Sequence, residues 1–134
     1  MFTKRALSIE DARRVAAAAV AEAKKNNWNV SIAIVDDGAH LLYLERMDGA
    51  AKPSALISQA KARTAALFRR PTKAMEETLN SGRHGLLALP GVTPVEGGIP
   101  LMVDNECVGA IGASGVQSAQ DAQIASAGAA VLAG

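Results

Sequence analysis

The chain has 134 residues, of which 49% are hydrophobic and 20% charged, and its formal net charge is +1. These values predict one globular domain, residues 1–134, rather than a disordered chain. They also exclude the strong positive field that is typical of proteins binding nucleic acids or anionic membranes.

The first elements predicted are a helix and a β-hairpin. Ser8 is placed to cap the helix, because its hydroxyl can accept a free backbone N–H, and apolar residues then recur at helical spacing over residues 9–23. Residues 30–35 and 40–46 have strand-like composition and flank a turn-forming Asp-Asp-Gly-Ala segment. We therefore predict two antiparallel strands joined by this turn.

Two more helices are predicted in the middle of the chain. Pro53 opens a helix that runs to about Phe68, with its large apolar side chains expected to face the core. Pro71 ends this segment, because the residue before a proline is pushed out of the α region. A short helix is expected over residues 72–79.

A loop, a second hairpin and a final helix are predicted in the last third of the chain. Residues 80–100 contain five glycines and three prolines, which favours loop with room for one short strand. Residues 99–104 and 107–113 predict a hairpin, and residues 118–132 predict a helix. Hairpins rather than alternating βαβ units indicate an antiparallel sheet with helices on its faces, an α+β fold.

Four blocks of sequence, in chain order, resemble signatures of the GlcG/HbpS-like haem-binding family, to which the carboxy-terminal domain of PduO-type proteins is related. They are VDDGAHL at 35–41 with ERMDGA at 45–50, KARTAALFRRPT at 61–72, LPGV at 89–92 with EGGIP at 96–100, and GAIGASG at 109–115 followed by Gln120-Asp121. The blocks extend over nearly the whole chain.

The resemblance implies a profilin-like layered fold, in which a five-stranded antiparallel sheet is flanked by helices. It also implies a homo-oligomer and, as in some family members, haem as the ligand. Other members are encoded in gene clusters for the breakdown of organic acids or aromatic compounds. Membership of a family indicates the fold, but it does not by itself identify the chemistry.

Two histidines are the candidate haem and metal ligands. A haem site needs an axial ligand, an apolar slot and polar partners for the propionates. His40 follows the turn of the first block, and His84 lies in a glycine-flanked loop where Arg83 could meet a carboxylate. The alternatives are a solvent-facing turn for His40 and a plain surface loop for His84. Three other possible ligands lie in strand-like sequence and are assigned to packing: Tyr43, Met47 and Cys107.

Glycines beside carboxylates indicate a second kind of site. Gly97 and Gly98 let the main chain approach a ligand closely, and Glu96 just before them could act as a general base. Gly115 lies where a strand leads into the last helix, and free amides at such a junction can hold an anion. For Glu96 and its glycines, a tight turn leading into a strand is the alternative interpretation.

Two charged residues on predicted helices complete the candidate set. Lys61 is expected to extend its ammonium group to the rim of a pocket, or simply to cover apolar surface. Asp121 is expected to cap the last helix together with Ser118, with a role in a pocket as the alternative.

The favoured prediction is a small-molecule-binding protein, most specifically a haem-binding homo-oligomer. The alternative is a cofactor-free enzyme acting on a small organic acid or aromatic catabolite, with Glu96 and Asp121 moving protons. A structural subunit without any ligand is the third interpretation.

The final helix and the single cysteine predict the assembly and the location. The final helix is rich in small residues that another chain could approach closely, so we expect a dimer-based oligomer, as a tetramer or octamer. Cys107 has no disulfide partner, and the first residues contain no apolar run typical of a signal peptide or a membrane span. We therefore expect a cytoplasmic protein.

Overall fold

The structure is a computed structural model that describes residues 1–133. Its elements are, in chain order, α1 (Ile9–Lys25), β1 (Ser31–Asp36), β2 (Leu41–Arg46), α2 (Ser54–Phe68), α3 (Thr72–Asn80), a 3₁₀ helix (His84–Ala88), β3 (Gly98–Val103), β4 (Glu106–Ser114) and α4 (Ser118–Ala133). The predicted helices and hairpins are confirmed. At the start of α1, the Ser8 hydroxyl accepts the Asp11 N–H and the Asp11 carboxylate accepts the Ser8 N–H, so that two free donors are satisfied.

The sheet has four antiparallel strands in the order β2-β1-β4-β3, so the expectation of five strands is wrong. The segment that had room for another strand forms the 3₁₀ helix instead. Gly82 and Gly91 have positive φ angles of 110° and 80°, and Pro90 and Pro94 have no N–H to donate. A backbone with these restrictions cannot continue a hydrogen-bonded ladder.

Helices cover both faces of the sheet. Side chains alternate along β1, so that Ile32 and Ile34 pack with α1 and α4, whereas Ala33 and Val35 pack with α2. The α1–α4 side contains the larger hydrophobic core, and the α2 side is packed mainly with alanines.

Two small residues of α4, Ala125 and Gly128, are buried within the chain, whereas Ala119, Ser126 and Ala130 are exposed. A Cβ atom on Gly128 would lie 2.9 Å from the Val15 carbonyl oxygen and 2.7 Å from Ile111 Cδ1. Gly128 therefore lets α4 lie close to both α1 and β4.

Helix α2 turns large apolar side chains outward, contrary to the sequence-based expectation. It buries small or polar residues such as Ser58 and Ala62, whereas Leu56 is 74% exposed. The reason is its close approach to β4, where a Cβ atom on Gly112 would clash with the Ser58 carbonyl oxygen and lie 2.6 Å from the Ala62 nitrogen. Only small side chains fit between elements at this separation.

One helix cannot cover the whole α2 face of the sheet. Strands lie about 4.8 Å apart, whereas a helix with its side chains is about 10 Å wide. Helix α2 packs mainly on β1 and β4, while α3 contacts β3. Strand β2 is therefore left partly uncovered, and Leu41 is 47% exposed. Within residues 1–133, no helix has the length and apolar character needed to cross a membrane.

Candidate functional site

A groove lies between α2 and the uncovered strand β2. Its volume is about 360 Å³, which is within the range of small-molecule sites. The apolar side chains of Val35, Leu41 and Leu56 line it, together with the polar side chains of Gln59 and Arg63. Arg63 is exposed and makes no ion pair within residues 1–133, so its guanidinium is free to meet an anionic group. The groove therefore combines an apolar surface with one unpaired positive charge.

His40 lies in the turn between two residues that line the groove, Ala39 and Leu41, but its own side chain is not part of the lining. The Asp36 carboxylate holds the turn by accepting the N–H groups of Gly38 and His40, each at 2.9 Å. The imidazole is exposed, lies against Gly38 and makes no hydrogen bond within residues 1–133. Its ring nitrogens are available to a ligand.

His84 lies elsewhere, at the start of the 3₁₀ helix, and it does not line the groove. It is exposed, as are Gly82, Arg83 and Gly85 around it. The structure thus places the two candidate histidines on different elements.

Two other candidates, Lys61 and Asp121, form a buried ion pair. Lys61 and Asp121 are each only 2% exposed, and Lys61 Nζ lies 2.9 Å from Asp121 Oδ2. Lys61 Nζ also donates to the Ala113 carbonyl oxygen at 3.1 Å. The expectation that Lys61 reaches a pocket rim is therefore wrong: its ammonium group lies in the interior, where Asp121 is its counter-charge.

Asp121 does not cap α4 together with Ser118, because its carboxylate binds the chain just before the helix. Its Oδ1 atom accepts the Val116 N–H at 3.1 Å, while Oδ2 accepts from Lys61. Burial raises the pKa of the Asp121 carboxyl, and the hydrogen bond and charge of Lys61 oppose this rise. Both carboxylate oxygens have partners, so Asp121 could move a proton for a substrate only if the ion pair opened.

The predicted glycines pack against this pair and its surroundings. A Cβ atom on Gly97 would lie 2.7 Å from Lys61 Nζ, and one on Gly98 would clash with the Lys61 carbonyl oxygen. Gly115 has a φ of 149°, and a Cβ atom there would lie 2.7 Å from the Asn29 carbonyl oxygen. The close approach that these glycines permit is to the protein's own chain. Glu96, next to Gly97, is half-buried.

The groove residues on α2 were missed by the sequence reasoning. Leu56 was assigned to the core, and Arg63 was noticed only as part of a sequence block. The small residues on the other side of α2 could have revealed this, because small side chains mark the side of a helix that approaches another element closely. The large side chains of α2 must then face away from the sheet.

Comparison with known proteins gives consistent matches over nearly the whole chain. A protein family described as "Haem degrading protein HbpS-like" matches residues 7–130. Protein GlcG of Escherichia coli (strain K12) is 56% identical over 112 residues, which are 84% of this chain and 84% of that protein.

Two solved structures share both fold and sequence with this chain. A double mutant of Streptomyces reticuli HbpS has a TM-score of 0.91 at 34% identity, covering 98% of this chain and 90% of that one. A complex of PduOC with haem has a TM-score of 0.85 at 28% identity, covering 94% of each chain.

Proposed function

The chain belongs to the HbpS-like family, and from this membership we propose that it is a small-molecule-binding protein whose ligand is haem. The structural observation that supports the proposal is the groove between α2 and β2, with an unpaired guanidinium inside it and an exposed imidazole beside it. The solved complex of PduOC with haem lends further support.

The residues present fit the requirements of haem. In this proposal the His40 imidazole would hold the iron, Leu41 and Leu56 would contact the macrocycle, and Arg63 would pair with a propionate. When bound, haem supplies an iron centre for ligand binding or redox chemistry. The protein's own residues orient the macrocycle and shield one side of it from water.

The buried pair of Lys61 and Asp121 and the glycines packed against it support the groove without contacting the ligand in this proposal. Lys61 joins α2 to α4 and to β4, and Gly97 and Gly98 permit the close packing around it. These contacts hold α2 in place, and α2 forms one wall of the groove, whereas Gly115 packs against Asn29. Lys61, Gly97 and Gly98 are therefore positioning residues rather than contacts of the ligand.

Titration of haemin into the purified protein tests the proposal. We expect a saturable shift of the Soret band at one haem per chain. His40→Ala should change the Soret spectrum and weaken binding about tenfold or more, because the axial ligand is lost.

His84→Ala is the matched control, since His84 is also exposed but neither of its chain neighbours lines the groove. It should leave the spectrum and the affinity unchanged. Unsaturable binding to the unaltered protein would contradict the haem proposal, and an unchanged spectrum in both histidine variants would contradict histidine ligation.

The proposal includes a cytoplasmic, single-domain homo-oligomer. The lone Cys107 supports a reducing compartment. Support for an oligomer comes from large apolar side chains that are exposed outside the groove, including Leu67 and Leu87.

A further inference from the structure

The turn before His40 has its glycine at an unexpected position. Ala39 has a φ of 67°, in the left-handed region that favours glycine. Gly38, one residue earlier, lies outside that region, so its backbone conformation is open to other residues. The backbone of the turn therefore does not explain why residue 38 is a glycine.

The His40 imidazole does explain it, because the ring occupies the space that a side chain on residue 38 would need. A Cβ atom on Gly38 would lie 3.2 Å from His40 Cδ2 and 3.5 Å from His40 Nε2. The Cδ2–Nε2 edge of the ring thus lies over Gly38. A larger residue at position 38 would press on this edge, and since His40 is exposed, the ring would turn away into solvent.

The backbone that carries the ring is held in place. The Asp36 carbonyl oxygen accepts the Ala39 N–H at 3.0 Å, and the Asp36 N–H donates to the His40 carbonyl oxygen at 2.9 Å. The Ala39 methyl group packs against the alanine-rich cluster on the α2 side of the sheet. This packing ties the turn to the core and accounts for an alanine at a strained position.

An imidazole that is already in place binds a ligand more tightly than a mobile one. Ordering an exposed side chain on binding costs about a factor of three to ten in affinity. A ring that rests on the turn before the ligand arrives avoids part of this loss.

We propose that Gly38 is a positioning residue for His40: because it has no side chain, the imidazole rests on the turn in the orientation that binds the ligand. This inference rests on the proposed function, in which His40 would hold the haem iron. It assigns a role in binding to a residue that does not line the groove.

NMR of the protein without haemin tests the contact itself. We expect a nuclear Overhauser effect between His40 Hδ2 and the Gly38 Hα protons. In Gly38→Val, the His40 ring signals should move toward the positions typical of a mobile histidine. The His84 ring signals are the internal reference and should not move.

Haemin titration tests the consequence for binding. We expect Kd to rise about threefold for Gly38→Ala and about tenfold for Gly38→Val. In the His40→Ala background, Gly38→Val should leave Kd unchanged, because no ring remains to be positioned. Gly85→Val is the matched control, since Gly85 adjoins the other exposed histidine and its Cβ atom would meet no atom within 4 Å. It should leave the haemin Kd unchanged.

Stability provides a further readout. Gly38→Ala should raise Tm by about 2 °C while it weakens haemin binding, because alanine lowers the entropy of the unfolded chain and the exposed ring gives way. A glycine needed only for the turn would give a lower Tm, and that result would overturn the proposal.

The other failures can be told apart. An unchanged haemin Kd in Gly38→Val, an equal loss in the His40→Ala background, or no contact between the ring and Gly38 by NMR would overturn the positioning role while leaving haem binding intact. Absence of saturable haemin binding to the unaltered protein would contradict the proposed function, and the positioning role with it.

Discussion

At the scale of single residues, the buried ion pair of Lys61 and Asp121 is the feature that we expect to be most sensitive to substitution. A buried charge that loses its partner typically costs about 3–5 kcal/mol of stability. We expect this loss for Lys61→Met, measured by urea denaturation at fixed protein concentration. The double variant Lys61→Met with Asp121→Asn should recover most of it, because no charge remains and the asparagine oxygen can still accept the Val116 N–H.

The control for this pair is the exposed pair of Arg14 and Asp11, in which Arg14→Met should change stability by about 0.5 kcal/mol or less. A double variant as unstable as Lys61→Met would show that packing, rather than charge, explains the loss.

The pH dependence of Lys61→Met follows from the raised pKa of Asp121. Without Lys61, the cause that opposes the rise is gone, so the folded-state pKa lies still further above the unfolded value. The folded state then binds the proton more tightly, and stability increases as pH falls through that pKa. We expect the deficit of Lys61→Met relative to the unaltered protein to be smaller at about pH 5 than at pH 7. Equal deficits at both pH values would contradict this assignment.

At the scale of elements, the close contact of α2 with β4 positions one wall of the groove. Gly112→Ala would place a Cβ atom 2.6 Å from the Ala62 nitrogen and against the Ser58 carbonyl oxygen. Because the backbone must move, we expect a loss of about 1–3 kcal/mol and weaker haemin binding. Gly85→Ala is the control, since its Cβ atom would meet no atom within 4 Å. Calorimetry and haemin titration of the two variants measure the difference.

At the scale of the whole molecule, the α2 side is where we expect copies of the chain to associate. Leu87, which is 65% exposed and lies outside the groove, is a suitable probe. Sedimentation velocity at micromolar concentration should show an oligomer, and Leu87→Ser should shift it toward smaller species. Ala21→Ser, on the exposed side of α1, is the control and should leave the distribution unchanged. A stable monomer of the unaltered protein would contradict the prediction.

The local pattern of residues in the sequence was sufficient to predict the helices and the two hairpins. The Ser8 cap, the helical spacing over α1 and the turn before His40 each depend on residues a few positions apart, so short-range physics specifies them. The family blocks likewise identified the family, since each block is a local feature.

The tertiary structure decided the rest. Which side of α2 faces inward depends on how closely it approaches Gly112, and the partner of Lys61 lies 60 residues away at Asp121. The groove beside β2 exists because one helix is too narrow for four strands. These features are distances between elements, and the spacing of residues along the chain does not contain such distances.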